Sequence, residues 1–515
     1  MKALKIKLLF VVLILGCAIV KASPQGKIYN IARHGAVADG KTNNTIVIQK
    51  VIDEASAQGG GTVLVPAGKF VTGVINIKSN VELQLDKDAF LLGSPVRADY
   101  GDGKASALIV SDHQHHIAIT GQGTIDGQGE ALLKDIYVRL NAGTLRDTEW
   151  KTENPWHQVR PEEDNRPKLI EFRNCDDIKI KGITIKNGLC WVQNYKSCSN
   201  LLVDSIRVES VIFWNNDGID ITDCKNARLT NSFFNAADDG ICLKSENPQE
   251  ACENVYVANC KVRSSASAIK FGTASHGGFK KITIKNIVVY DTYRSAIALE
   301  SVDGGILEDI DIENIKATNT GNAIFIRLGH RNQKATVGKV RGIHISNVTV
   351  DVSADKPDAG YQMEGPLIRE PHNVFPSSIV GIPSGRVEDV TLENITINYS
   401  GGGKKENAFI NKDTLDRVPE RIKNYPEFSM FGELPAWGLY IRHADGIRIK
   451  NMLLTNKGAD YRSAFVADDV NGLKLNNLKV PKVTAQPVII MNKVSNLETK
   501  QIQIQGDKNK NIEIR

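Results

Sequence analysis

The sequence has no excess of charge of either sign. Its 64 basic residues stand against 59 acidic ones. Four of the lysines (Lys2, Lys5, Lys7 and Lys21) fall in residues 1–22, which contain no acid. Beyond that stretch the balance is 60 to 59. A bulk nucleic-acid binder normally carries a strong basic excess, so that class is excluded. Long hydrophobic runs are equally scarce. Only the N-terminus holds one, which excludes a polytopic membrane protein. No Cys-x-x-Cys pair occurs, so a zinc ribbon has no ligands, and no glycine-rich nucleotide loop stands out. Wholesale disorder is excluded by a composition of 41% hydrophobic and 24% charged residues.

What the N-terminus has is an export signal. Lys2, Lys5 and Lys7 form a basic lead, Leu8 to Val20 is apolar, and Val20-Lys21-Ala22 places small residues before Ser23. This reads as a signal peptide over 1–22, too short for a comfortable membrane span. Ile14-Leu15-Gly16-Cys17 also resembles a bacterial lipobox, which would lipidate Cys17. The mature chain is therefore expected to be exported, either periplasmic or secreted, or lipid-anchored through Cys17. Seven cysteines remain in it: Cys175, Cys190, Cys198, Cys224, Cys242, Cys252 and Cys260. An odd number cannot all pair.

The strongest signal is internal repetition. Short strand pairs recur with a turn residue between them, as in CDDIKIKGITIKNG (175–188), CSNLLVDSIRVES (198–210), CKNARLTNSFFNA (224–236), CENVYVANCKVRS (252–264) and FKKITIKNIVVYDT (279–292). Related copies continue to VSNLETKQIQIQG (494–506). The early spacings are 23, 26 and 28 residues. That period is too short for a propeller blade and lacks the leucine-rich-repeat consensus. It suits one coil of an all-β, single-stranded, right-handed parallel β-helix. Cys175, Cys198, Cys224 and Cys252 would then stack inward as small buried thiols. The asparagines of Lys-Asn-Ile, Glu-Asn-Ile and Ser-Asn-Val would sit at turns, where Asn tolerates left-handed geometry.

A solenoid needs a cap. Thr42-Asn43-Asn44-Thr45 precedes a helical pattern of Ile46, Ile48, Val51, Ile52 and Ala55, stopped by Gly59-Gly60-Gly61. Thr62 to Gly68 would be the first strand. The mature chain is thus one β-helix domain over 23–515, with cap and first coils in 23–100. Eight of the 17 prolines lie between Pro357 and Pro435. The long loop insertions there, across 355–436, are candidate cleft walls, since solenoid insertions collect on one face.

Two neighbouring coils carry Asn215-Asn216-Asp217-Gly218-Ile219-Asp220 and Asp238-Asp239-Gly240. Asp217 and Asp238 are 21 residues apart, close to one coil, and adjacent coils stack at about 4.8 Å. Three carboxylates, Asp217, Asp238 and Asp239, should therefore crowd one patch and raise one another's pKa. A protonated acid beside an ionised base is what glycosidic cleavage requires. The same residues also suit ordinary turns, with Asp220 closing one, or a calcium site.

At these motifs the sequence resembles glycoside hydrolase family 28, the polygalacturonase family, over nearly the whole mature chain. Asn215-Asn216-Asp217 looks like the family's Asn-Thr-Asp, and Asp238-Asp239 like its Asp-Asp. The stretch from Ala36 to Gly68 is similar to the capping segment of bacterial members. The resemblance implies inverting hydrolysis of α-galacturonosyl linkages in acidic plant cell-wall polysaccharides or oligosaccharides. Asp238 would be the general acid, Asp217 and Asp239 would activate water, and Asn215 would orient the group. It implies no cofactor or metal, and no nucleic-acid or protein partner, with the chain acting as a monomer. Two motifs depart from the family. Ser267 stands where its Gly-His-Gly histidine is expected, with His276 nearby as a replacement. Ile297-Ala298-Leu299-Glu300 stands where Arg-Ile-Lys would hold a substrate carboxylate. Replacement cations are Lys244, Lys270, Arg327 and Arg442, with His330, Arg331 and His443 beside the last two. Trp191, Trp214 and Trp437 are candidates to stack on sugar rings. Calcium-dependent pectate elimination and non-catalytic carbohydrate binding are the alternative readings.

Overall fold

The computed structural model describes residues 26–152, 159–366, 375–404, 410–482, 487–506 and 511–515. The signal peptide and Cys17 lie outside the described residues, as do parts of the insertions at 367–374 and 405–409. Alternating apolar and polar positions give strands that stack coil upon coil, and every pairing of these strands is parallel. One sheet runs through Ile109–Asp112, Ile170–Arg173, Gln193–Lys196, Ile219–Thr222, Ile241–Ser245 and Ile269–Ser275. It continues in the last residues of Gly278–Ser301 and Ile306–Leu328. A second sheet stacks His115–Gly121, Asp176–Lys181, Ser199–Asp204, Lys225–Thr230 and the first half of Cys252–Ser264. A third stacks Thr124–Asp126, Thr184–Lys186, Arg207–Ser210, Phe233–Ala236 and the second half of Cys252–Ser264. This is the expected right-handed parallel β-helix.

The inward residues form ladders. Ile180, Val203, Leu229 and Val257 are in register and wholly buried. Each such side chain contributes about 1.5–3 kcal/mol by leaving water. Cys175, Cys198, Cys224 and Cys252 are buried and unbridged. Their thiols donate to coil carbonyls, as Cys224 Sγ does to Tyr195 O at 3.1 Å and Cys252 Sγ to Ile221 O at 3.0 Å. At the bends, asparagines with positive φ stack amide on amide. Asn259 Nδ2 donates to Asn231 Oδ1 at 3.2 Å and receives Asn286 Nδ2 at 3.0 Å.

The capping helix α1 (Thr45–Ala57) buries Ile48, Val51, Ile52 and Ala55. Ile46, expected on the same face, points to solvent, because it lies off the arc those four positions define. The first strand is not at Thr62–Gly68. Ile28–Asn30 already pairs with residues 62–64, and its three residues are too few to display an alternating pattern. A second helix, α2 (Gly129–Asn141), was not expected. It buries Leu132, Ile136 and Leu140 at four-residue intervals, a spacing visible in the sequence. Over the later coils, Phe325, Phe375, Ile410, Leu415, Phe428, Phe431 and Tyr440 form a second apolar cluster, which pins residues 410–436 of the insertion against the first sheet.

Candidate active site

The site grows from two glycines. Ile219 pairs with Ile241, so Gly218 and Gly240 lie one above the other at the entry to their strands. A Cβ on Gly218 would sit 2.5 Å from the Gly240 carbonyl oxygen, and one on Gly240 would sit 2.3 Å from Val262 Cγ1. Only glycine fits either position, and the residue before each glycine is an aspartate. Backbone bonds fix the register: Gly218 N donates to Asp239 O, and Gly240 N to Ser267 O, both at 2.8 Å. Carboxylate oxygens of Asp217, Asp238 and Asp239 consequently all lie within 4.8 Å of one another.

Asp217 and Asp239 are buried, and Asp238 is half-buried. Asp239 Oδ1 accepts from Ser267 N at 2.9 Å, and Asp238 Oδ1 accepts from Asp239 N at 2.9 Å. So the residue at the expected histidine position supports Asp239 through its backbone. Burial, followed by the charges of Asp217 and Asp239, pushes the Asp238 carboxyl up to about 7. Burial and the Asp220 charge also raise Asp217 well above the usual carboxylate range, with the Lys244 ammonium working against them. Asp220 is wholly buried on its strand and raised by burial, again opposed by Lys244.

The cations expected to face substrate are engaged by the protein. Lys244 Nζ is 2.8 Å from Asp217 Oδ2 and also touches Asp220. Lys270 pairs with Glu300 at 2.7 Å, both fully buried. Burial raises Glu300 to about 7 against the pull of Lys270. Arg327 is buried and donates to the carbonyls of Gly381 and Glu420. Arg442 pairs with Glu420 at 2.8 Å and Asp468 at 3.4 Å. His443 bridges Asp469 and Glu420, and Arg331 pairs with Asp303. His330 Nε2 contacts Ala335 O. His276 lies 4.0 Å from Asp303 and 3.4 Å from Asn332, away from the residues lining the Asp238 cavity. The reason is common to the set: insertions and neighbouring coils cover this sheet, and a covered charge requires a counter-charge or carbonyls. Three carboxylates this close could act as hard oxygen ligands. On one flank, however, the chain's own ammonium supplies the positive charge.

Asp238 opens into a small cavity of about 70 Å³ lined by Arg160, Trp214, Asn215, Ser265, Arg294, Gly365, Pro366 and Tyr425. Sequence reasoning missed Arg160, Arg294 and Tyr425. Arg294 lies only three residues before the segment inspected for the family's cation motif. Its Nη1 is 3.1 Å from Glu427 Oε2. Gly365, Pro366 and Tyr425 come from the two proline-rich insertions, which are cleft walls here. Beside this cavity lies a second one of about 180 Å³, lined in part by Arg166, Lys168, Glu171, Trp191, Asn194 and Lys196. Arg166 forms the partition, donating to Trp214 O at 2.9 Å and to Asn215 Oδ1 at 2.8 Å. Asn215 is held at φ 57° with its amide fixed at the cavity wall. Trp191 and Trp214 thus line the cleft, whereas Trp437 is buried in the core against Tyr399.

Comparison with known proteins points to one family. The chain is 28% identical over 410 residues to a Vitis vinifera protein named "Probable polygalacturonase", covering 72% of this chain and 74% of the relative. It is 27% identical over 361 residues to the exo-poly-alpha-D-galacturonosidase of Dickeya chrysanthemi, covering 60% and 58% of the two chains. The Yersinia enterocolitica family 28 exopolygalacturonase shares the fold at a TM-score of 0.63 and 20% identity, covering 87% of this chain and 78% of that one. The family model for glycosyl hydrolases family 28 matches residues 56–358. With the stacked aspartates inside that match, the chain belongs to glycosyl hydrolases family 28 and is a polygalacturonase-like glycosidase of parallel β-helix fold.

Proposed function

We propose that the protein hydrolyses α-galacturonosyl linkages of pectic chains or oligosaccharides from a chain end, by inverting acid/base catalysis. The carrying observation is the three-carboxylate cluster in which Asp238 holds its proton to about pH 7. Asp238 donates that proton to the glycosidic oxygen as the bond to the anomeric carbon breaks. Asp217 and Asp239 accept a proton from the attacking water, whose oxygen bonds to the same carbon. Asn215 orients the sugar at the wall of the cavity.

An acidic substrate is supported by Arg160 and Arg294 in the Asp238 cavity, since guanidinium groups recognise carboxylates in a fixed geometry. Action from a chain end is supported by enclosure. Arg160, Gly365-Pro366 and Tyr425 converge over Asp238, and Gln362 donates to Glu130 of α2 at 3.3 Å. The inverting course comes from the family resemblance. The aspartates lie at the short end of carboxylate spacings, where retaining enzymes are commoner, so the first-formed anomer is to be read directly by NMR. Export, with or without lipidation at Cys17, suits a polymeric substrate outside the cell, and the chain acts as a monomer.

The test incubates the protein with EDTA and homogalacturonan, rhamnogalacturonan or their oligosaccharides. Saturated galacturonate-containing products released one unit at a time support the proposal. Unsaturated products that appear only with calcium would instead establish an eliminase. Binding without cleavage under either condition would establish a carbohydrate-binding solenoid.

A further inference from the structure

The mechanism above leaves two buried charges unused, Lys244 and Asp220. Lys244 Nζ lies 2.8 Å from Asp217 Oδ2, touches Asp220 Oδ1 and approaches Cys242 Sγ at 3.3 Å. It also sits 4.1 Å from the centre of the Trp191 ring. Asp220 is fully buried, and its second carboxylate oxygen has no hydrogen-bond partner. Among the described residues, neither Asp238 nor Asp239 forms an ion pair. The cluster of three carboxylates is therefore electrically lopsided, with an ammonium in contact with one member only.

We propose that Lys244 is a positioning residue: its ammonium, anchored on Asp220, holds Asp217 as the carboxylate and leaves the cluster's shared proton to Asp238. The inference rests on the function proposed above. Acid/base hydrolysis needs one protonated and one ionised carboxyl at the same moment, and three stacked aspartates do not by themselves decide which is which. Burial and the Asp220 charge favour the proton on Asp217, and the Lys244 ammonium in contact at 2.8 Å is the group that opposes them and favours the carboxylate there. Other groups face this pair. Asp239 and Cys242 lie on the Lys244 coil, and Lys168, itself paired with Glu171, lies 4.9 Å from the Trp191 ring. Arg294 and Arg160 act on Asp238 from the cavity side.

The sign of the pH effect follows. Without Lys244, Asp217 binds a proton more tightly, so the acid-side limb of the activity profile moves up. Asp238 then loses the repulsion of an ionised neighbour, so the basic limb moves down. Lys244→Gln should narrow the bell from both sides. It should also lower kcat by about 10²-fold while KM stays within about twofold. Lys244→Arg keeps the charge and should recover the width. Because a lone buried Asp220 could prevent folding, Lys244→Gln is also made in an Asp220→Asn background, and the narrowing should appear there relative to Asp220→Asn alone.

The experiment measures kcat and KM against pH for the wild type and these variants on galacturonate oligosaccharides. A raised KM with kcat preserved would make Lys244 a substrate-binding cation and overturn the proposal. A bell of unchanged width, scaled only in height, would reduce Lys244 to a structural role. If the wild type cleaves no pectic substrate, the function proposed above fails separately, and Lys244 is then judged by infrared titration of the carboxyls. The band that ionises near neutrality should vanish with Asp238→Asn in the wild-type background, but with Asp217→Asn in the Lys244→Gln background. Loss with Asp238→Asn in both backgrounds would overturn the proposal.

Discussion

The asparagine ladders and the aspartate cluster are built by one stacking rule and end in opposite states. At the bends, Asn231, Asn259, Asn286 and Asn314 occupy equivalent places on successive coils, and each amide donates to the one before it. An amide carries both donor and acceptor, so a column of them satisfies itself. At the entry to the first sheet, Asp217 and Asp239 come from adjacent coils with Asp238 beside them, and ionised carboxylates are acceptors only. Stacking them is unfavourable until a proton or an ammonium enters. The comparison teaches that the repeat supplies proximity for nothing, and that side-chain chemistry decides whether proximity stabilises the fold or stores a reactive proton.

Changes that break this contrast should have graded effects. The largest is expected on turnover. Asp238→Asn and Asp239→Asn should each lower kcat by about 10²–10⁴-fold, the usual contribution of a positioned acid or base, with the fold intact by circular dichroism.

Next is recognition. Arg160→Gln or Arg294→Gln should raise KM for acidic oligosaccharides by roughly tenfold, as expected for the loss of a charge-assisted hydrogen bond, and should change KM little for methyl-esterified ones. An equal loss on both substrates would place the arginines in scaffolding.

The third effect concerns stability against pH. Folded Asp238 binds its proton to about pH 7, whereas an ordinary aspartate carboxyl gives it up near 3.8. The folded state therefore holds the extra proton, and Asp238 costs stability increasingly as pH rises through that window. Asp238→Asn should raise Tm by roughly 2–4 °C at pH 8 and leave it nearly unchanged at pH 4, read by thermal unfolding. The smallest effect is expected in the ladder. Asn259→Asp keeps the acceptor for Asn286 but loses the donor to Asn231, and should cost about 1 kcal/mol by denaturant titration with activity unchanged.

Which parts could be read from the sequence follows the same division. The coils, the thiol stack and the three aspartates were legible because each depends on spacing near one repeat, and the capping helix because its apolar residues recur at helical spacing. Arg160, Arg294 and Tyr425 were not. Tyr425 reaches Asp238 from an insertion whose path is set by distant packing, such as that of Phe375 against Phe428. The destinations of Lys270, Arg327 and Arg442 were hidden for a related reason. Their partners, Glu300, the Glu420 carbonyl and Asp468, lie on other coils or in an insertion. A strand pattern tells which side chains face outward, but not which of them a later loop will cover.

The most direct test of the central claim is a carboxyl titration by NMR on protein with ¹³C-labelled aspartate, comparing the wild type with Asp238→Asn. The account predicts an aspartate titrating near pH 7 in the wild type that is absent from the variant. If every aspartate of the wild type is ionised by about pH 5, close to the ordinary range, the stacked cluster stores no proton, and the acid/base division assigned to Asp238, Asp217 and Asp239 is wrong.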